Sequence, residues 1–157
     1  MVLEDVYKSE SENNSHNRAI ADLLTSYDRF YGDVSLNLDV YTQQCSVGVT
    51  AKDLAVMASV LANKGTHPIS KQRLMSSKNV KHVLAVMTTA GLYENSGEWA
   101  YSVGLPAKSG VGGGIIAVAP GKFSIAVFSP RLDEAGNSVR AQQAIGYVAQ
   151  KLNANIF

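Results

Sequence analysis

Cysteine is almost absent: Cys45 is the one thiol in 157 residues. No internal disulfide can form, and no cysteine-based zinc site can be assembled. That usage suits a reducing compartment, and Cys45 itself is expected to be buried, because an unpaired cysteine behaves as a small hydrophobe. Charge of one sign is lacking too. The net charge is +1, which gives no basic field for nucleic acid and no acidic field for a polycation. The densest acidic stretch, Ser9-Glu10-Ser11-Glu12, is short. Apolar runs such as Ile115-Ile116-Ala117-Val118-Ala119 fall far short of a membrane span. The first residues do not have the basic-then-apolar pattern of a signal peptide. His16, His67 and His82 show no metal-binding spacing. These absences together suggest a soluble cytoplasmic protein without a metal or organic cofactor.

What is present is ordinary globular composition, with 46% apolar and 17% charged residues. The length suffices for one domain or a compact pair of lobes. Apolar spacing predicts helices over most of the first two-thirds. Ile20, Leu23, Leu24 and Tyr27 mark one face behind the polar start Asn13-Asn14-Ser15, and Leu38, Tyr41 and Cys45 mark a second behind Tyr31-Gly32-Asp33. Thr50 and Asp53 read as a helix cap ahead of a Leu54, Met57 and Leu61 stripe that Gly65 stops. A fourth helix is predicted from Ser77 to Ala90 on Val80, Val83, Leu84 and Met87. Ile115–Ala119, Pro120-Gly121 and Phe123–Phe128 then read as a β-hairpin, with a further strand around Val103–Ser109. A helix from Asn137 to about Leu152 closes the chain on Ala141, Ala144, Ile145, Val148 and Leu152.

The expected architecture is therefore α+β, with a helical lobe over residues 1–95 and a hairpin plus terminal helix over 96–157. Two or three strands with one covering helix would leave an unpaired edge and an uncovered face. On that ground the sheet is expected to be incomplete.

The stretch richest in chemistry is Leu105-Pro106-Ala107-Lys108-Ser109-Gly110-Val111-Gly112-Gly113-Gly114. Its glycines permit a close approach to the backbone or positive φ. Nucleotide loops do not fit. The Lys-Ser pair precedes the glycines, whereas a P-loop needs it after them, and a G-x-G-x-x-G begun at Gly110 would require glycine where Ile115 stands. Lys108-Ser109-Gly110 matches the K-[ST]-G element that lines the active sites of serine β-lactamases and penicillin-binding proteins. Alone the motif is weak, and a solvated lysine beside a glycine-rich turn reads equally well.

Ordered coverage carries more weight than the motif. The chain resembles the serine-dependent, β-lactamase-like glutaminases through Val6-Tyr7-Lys8-Ser9-Glu10, Asn17-Arg18, Leu38-Asp39-Val40-Tyr41, Cys45-Ser46-Val47 and Leu61-Ala62-Asn63-Lys64-Gly65. Pro68-Ile69, Gly91-Leu92-Tyr93, Val103–Val111 and Gly136-Asn137-Ser138-Val139 continue it in order. The resemblance implies a β-lactamase/transpeptidase-like fold, hydrolysis of L-glutamine to L-glutamate and ammonia, and a homo-oligomer. It also implies a substrate pocket that includes Glu10, Asn17, Tyr41, Tyr93 and Val111. Glu10 would meet the α-ammonium, and Asn17 and the Tyr41 hydroxyl would meet the α-carboxylate. Tyr93 would act near the nucleophile, the Val111 N–H would form half of an oxyanion hole, and Lys108 would serve an electrostatic or a structural role. Without the resemblance, Glu10 is a solvated helix-entry acid, Asn17 a surface or capping amide, Tyr41 core and Tyr93 a loop aromatic packed on the surface.

The family's S-x-x-K nucleophile motif is not in the chain. The residues three before each lysine are Asp5, Val49, Leu61, Pro68, Met75, Lys78, Leu105, Ala119 and Val148, and none is serine. The resemblance starts at the family's midpoint. A preceding segment is therefore expected to bring the serine, its lysine, a further pocket asparagine and more strands. The isolated chain is expected to be inactive. The alternative is a non-catalytic module that binds glutamine or glutamate, or that pairs with an intact subunit.

Overall fold

The computed structural model describes all residues, 1–157. They divide into two compact units, Met1–Val49 and Thr50–Phe157.

The first unit contains α1 (Glu4–Glu12), α2 (Ser15–Ser26) and α3 (Val34–Cys45). Asp33 caps α3 by accepting from the Leu36 N–H at 2.7 Å. The Tyr7 hydroxyl donates to Asp39, which ties α1 to α3. Leu3 N to Ser46 O at 2.9 Å and Gly48 N to Met1 O at 3.0 Å add a short backbone pairing. Ala21, Leu38, Thr42 and Ser46 are buried. The expected stripe on α2 exists but is not buried, since Ile20, Leu23, Leu24 and Tyr27 are all exposed. Three helices offer α2 one packing partner, α3, and Ala21 takes that contact. Cys45 is likewise exposed, contrary to its expected burial, because it lies in the last turn of α3 beyond the packed face.

The second unit begins at α4 (Ala51–Ala62), whose Thr50–Asp53 capping box is present on both sides. α5 (Ser77–Ala90) has the predicted bounds, with Val80 and Met87 buried. A single 3₁₀ turn (Tyr93–Asn95) and α6 (Ser96–Ser102) follow. The strands are β1 (Ala107–Ser109), β2 (Gly114–Ala119) and β3 (Phe123–Phe128), antiparallel in the order β1-β2-β3. The last helix is α7 (Val139–Lys151), capped by Ser138. No helix is long and apolar enough to cross a membrane.

Alternation along β2 separates two apolar layers. Ile115, Ala117 and Ala119 pack with Leu92, Trp99, Ala141, Ile145 and Ala149. Val118 and Ile116 face Ala58, Ala62 and Met87. Both faces of the sheet are therefore covered, one by α7 and the other by α4, which corrects the expectation of a bare face. Of the stripe read on α4, Leu61 packs against this layer and Leu54 is part-buried. Met57 is exposed, and small Ala58 and Ala62 let the helix approach the sheet. On α7 the buried set is Ala141, Ile145 and Ala149, while Leu152 is exposed. β1 starts later than expected because α6 runs into Val103 and Gly104, and Gly104 turns the chain at φ +67°. β3 ends the sheet with no strand on its outer side.

Candidate active site

In the first unit, the amide of Asn17 is oriented by a chain of hydrogen bonds whose polarity has one solution. The Leu38 carbonyl can only accept, and it takes the Thr42 hydroxyl at 2.8 Å. The Thr42 oxygen then accepts from Asn14 Nδ2 at 2.9 Å, and Asn14 Oδ1 accepts from Asn17 Nδ2 at 2.7 Å. The polar cluster read as a helix start is one, with Asn14 at the N-cap of α2, but the Asn14 side chain makes this bridge rather than a capping bond. Asn17 is left with its Oδ1 and one N–H to offer a ligand. Asn17 and Tyr41 line one cavity of about 500 Å³ with Ile20, Leu24, Phe30 and Leu38. Tyr41 is half exposed on α3. Glu10 stands exposed on α1 and is not among the residues lining that cavity.

In the second unit, Tyr93 and Val111 meet at Gly136, and Lys108 lies over the Tyr93 ring. A Cβ at Gly136 would lie 3.5 Å from Val111 Cγ1 and 3.6 Å from Tyr93 Cε2. The Lys108 ammonium sits 4.7 Å from the centroid of the Tyr93 ring, within cation–π range. It also donates to the Ser109 carbonyl at 2.5 Å. Desolvation lowers the Lys108 pKa, since burial disfavours the charged form. Val111 is exposed at the tip of the β1–β2 turn, which is closed by Gly110 N to Gly114 O and Gly113 N to Gly110 O, both 2.9 Å. No acceptor in the chain takes the Val111 N–H. A main-chain donor free to meet an external oxygen is what an oxyanion site requires.

Tyr93 adopts φ +52°, the left-handed region. A residue with a Cβ bears roughly 1–2 kcal/mol there. The neighbouring Asn137 is fully buried, and its Oδ1 meets no donor, a further cost of about 1–3 kcal/mol. Strain and an orphaned acceptor side by side are unusual in a structural core and common at functional sites. Sequence reasoning missed both Asn137 and Asn14. Asn137 belongs to the Gly136–Val139 segment quoted for the resemblance, but no local pattern marked it as buried.

Asp133 braces the same region. Its Oδ1 accepts from Asn137 N at 2.8 Å, and its Oδ2 accepts from Gln142 Nε2 at 2.9 Å and Asn95 Nδ2 at 3.3 Å. Desolvation pushes the Asp133 carboxyl up, but the hydrogen bonds outweigh it and hold the pKa below 3.8. A depressed folded pKa adds stability that is complete above the unfolded value and is lost as pH falls through the folded one. Thermal melts recorded from about pH 5 down to about pH 3 should therefore show a loss of stability that Asp133→Asn flattens. Identical slopes in both proteins would remove this carboxylate from the account.

The glutaminase family model matches residues 1–157. A glutaminase of Colwellia psychrerythraea is 80% identical over 156 residues, which are 99% of this chain and 50% of that protein. The solved structure of the probable glutaminase ybaS superposes with a TM-score of 0.97 at 49% identity, covering 100% of this chain and 51% of that one. A Bacillus subtilis glutaminase, YbgJ, solved as a covalent complex with 5-oxo-L-norleucine, superposes at 0.94 and 36% identity over 100% of this chain and 56% of that one. The chain thus spans about half the length of the relatives it matches. With the fold and the whole length matched, the chain belongs to the glutaminase family.

Proposed function

We propose that this chain is the C-terminal portion of a glutaminase and carries most of its substrate pocket, while the nucleophile comes from a segment outside it. The observation that supports this best is the match over the whole chain, which covers about half of the curated relatives' length and contains no S-x-x-K. In the complete enzyme, a serine activated by its lysine attacks the side-chain amide carbon of glutamine. The tetrahedral oxyanion is met by the Val111 N–H, ammonia leaves, and water hydrolyses the resulting ester to glutamate.

The residues here have matching roles. Glu10 supplies a carboxylate for the α-ammonium. Tyr41 offers a hydroxyl to the α-carboxylate, and the locked Asn17 amide offers one donor and one acceptor. Tyr93 handles a proton near the nucleophile. Lys108, poised over the Tyr93 ring, adds positive potential where negative charge develops.

Calorimetric titration of the chain with L-glutamate tests the pocket assignment. Saturable heat is expected, with affinity about ten- to a hundred-fold weaker in Glu10→Ala, as for loss of a charge-assisted hydrogen bond. No saturable heat, or an affinity unaffected by Glu10→Ala, would overturn the assignment.

A further inference from the structure

Rotation about the Tyr93 backbone is restrained from both sides, and the restraints lead to Asn137. The peptide group before Tyr93 carries the Leu92 carbonyl, which accepts from Asn95 N at 3.0 Å within the same turn and from Asn137 Nδ2 at 3.2 Å across the fold. The peptide group after it carries the Tyr93 carbonyl, which accepts from Ser96 Oγ at 2.7 Å. The same Ser96 Oγ accepts from the Leu92 N–H at 2.9 Å. With both flanking peptide planes held, φ and ψ of Tyr93 have little freedom, and the left-handed conformation persists despite its cost.

Asn137 is equipped to act as the fixed point. It is fully buried, and its backbone N–H is held by Asp133 Oδ1 at 2.8 Å. Its carbonyl accepts from Asp133 N, also at 2.8 Å. The orphaned Oδ1 shows what the residue is there for. An apolar side chain would avoid the unsatisfied acceptor but would have no N–H for the Leu92 carbonyl.

We propose that Asn137 is a positioning residue for Tyr93: by holding the Leu92 carbonyl it keeps the Tyr93 ring beneath the Lys108 ammonium and beside Val111. Its consequence for catalysis rests on the reading of Tyr93 as a site residue. The positioning itself does not, and it is measured without substrate.

The reporter is the nuclear Overhauser contact between the Tyr93 ring and the Lys108 ε-methylene in the 157-residue chain. Methyl signals of Ile115 and Ile145 report separately on the core. In Asn137→Ala the Asn95 N–H still holds the Leu92 carbonyl from within the turn, so the contact is expected to weaken several-fold while the core methyls stay dispersed. Asn137→Asp keeps the shape and should show a pH switch. Burial and the neighbouring Asp133 carboxylate raise the new carboxyl's pKa, so its protonated form donates to Leu92 O and preserves the contact until rising pH removes the proton. The parent, whose desolvated Lys108 also titrates, still shows the contact at that pH. Unchanged contact in Asn137→Ala, or a contact in Asn137→Asp that ignores pH, overturns the proposal. If Asn137→Ala does not fold, Tyr93→Gly is added, because glycine needs no restraint at positive φ. Recovered folding in the double variant supports the link, and continued unfolding overturns it. Absence of glutamate binding by the parent chain, with its ring contact intact, would count against the pocket and leave the positioning standing.

Discussion

Gly91→Ala is expected to abolish folding of the second unit. The backbone angle at Gly91 is ordinary, with φ −80° and ψ −28°, so its reason is proximity alone. An added Cβ would lie 1.8 Å from the Ala107 carbonyl oxygen and 2.2 Å from that of Met87. Both obstacles are backbone, one on β1 and one on α5, so no side chain can swing aside. Gly91 O also accepts from Ser109 N at 3.1 Å, which ties the end of α5 to the outer side of β1. Relief would require α5 to leave the strand that carries Lys108 and to uncover Leu92 and Met87. A cost above about 4 kcal/mol is expected, of the order of a whole domain's stability. Gly97→Ala is the control: nothing lies within 4 Å of its Cβ, and it sits inside α6. That exchange should be neutral or slightly stabilising, by no more than about 1 kcal/mol. Thermal unfolding followed by circular dichroism reads both, and a Gly91→Ala melt close to the parent's would refute the packing argument.

Incubated with L-glutamine, the isolated chain is expected to release no ammonia above background. No lysine here has a serine three residues before it, so no residue can receive the acyl group by the Ser–Lys route. On the proposed roles, the site's other parts are electrostatic and orienting, and would stabilise a charge that forms only once a nucleophile has attacked. Supplying the remaining half of the 80%-identical relative should restore turnover. That turnover should require the serine of an S-x-x-K in the added half. Robust ammonia release from this chain alone, dependent on one of its own residues, would overturn the division of labour.

Much of the fold was legible because local rules act over a few residues. The Thr50–Asp53 cap, the span of α5 and the hairpin at Pro120-Gly121 all follow from neighbours within one turn. α1 went unread because it buries no residue, and the segment from Tyr93 to Ser102 because Trp99 is its one large apolar anchor. The site divided along similar lines. Lys108 could be singled out from the K-S-G motif on the glycine-rich strand, and ordered resemblance pointed to Glu10, Asn17, Tyr41, Tyr93 and Val111. Nothing in the spacing indicated that Asn14 would orient Asn17, or that Asn137 would reach the Leu92 carbonyl 45 positions away.

By itself the sequence determined the family and the absence of an S-x-x-K pair. These depend on which residues are present and in what order. Only the tertiary structure decided that α4 covers the second face of the sheet, that the Ile20 stripe stays exposed, and that Tyr93 is held in a strained conformation beneath Lys108. Each of those depends on which surface meets which across long stretches of chain, and periodicity shows that a face is apolar without showing what it packs against.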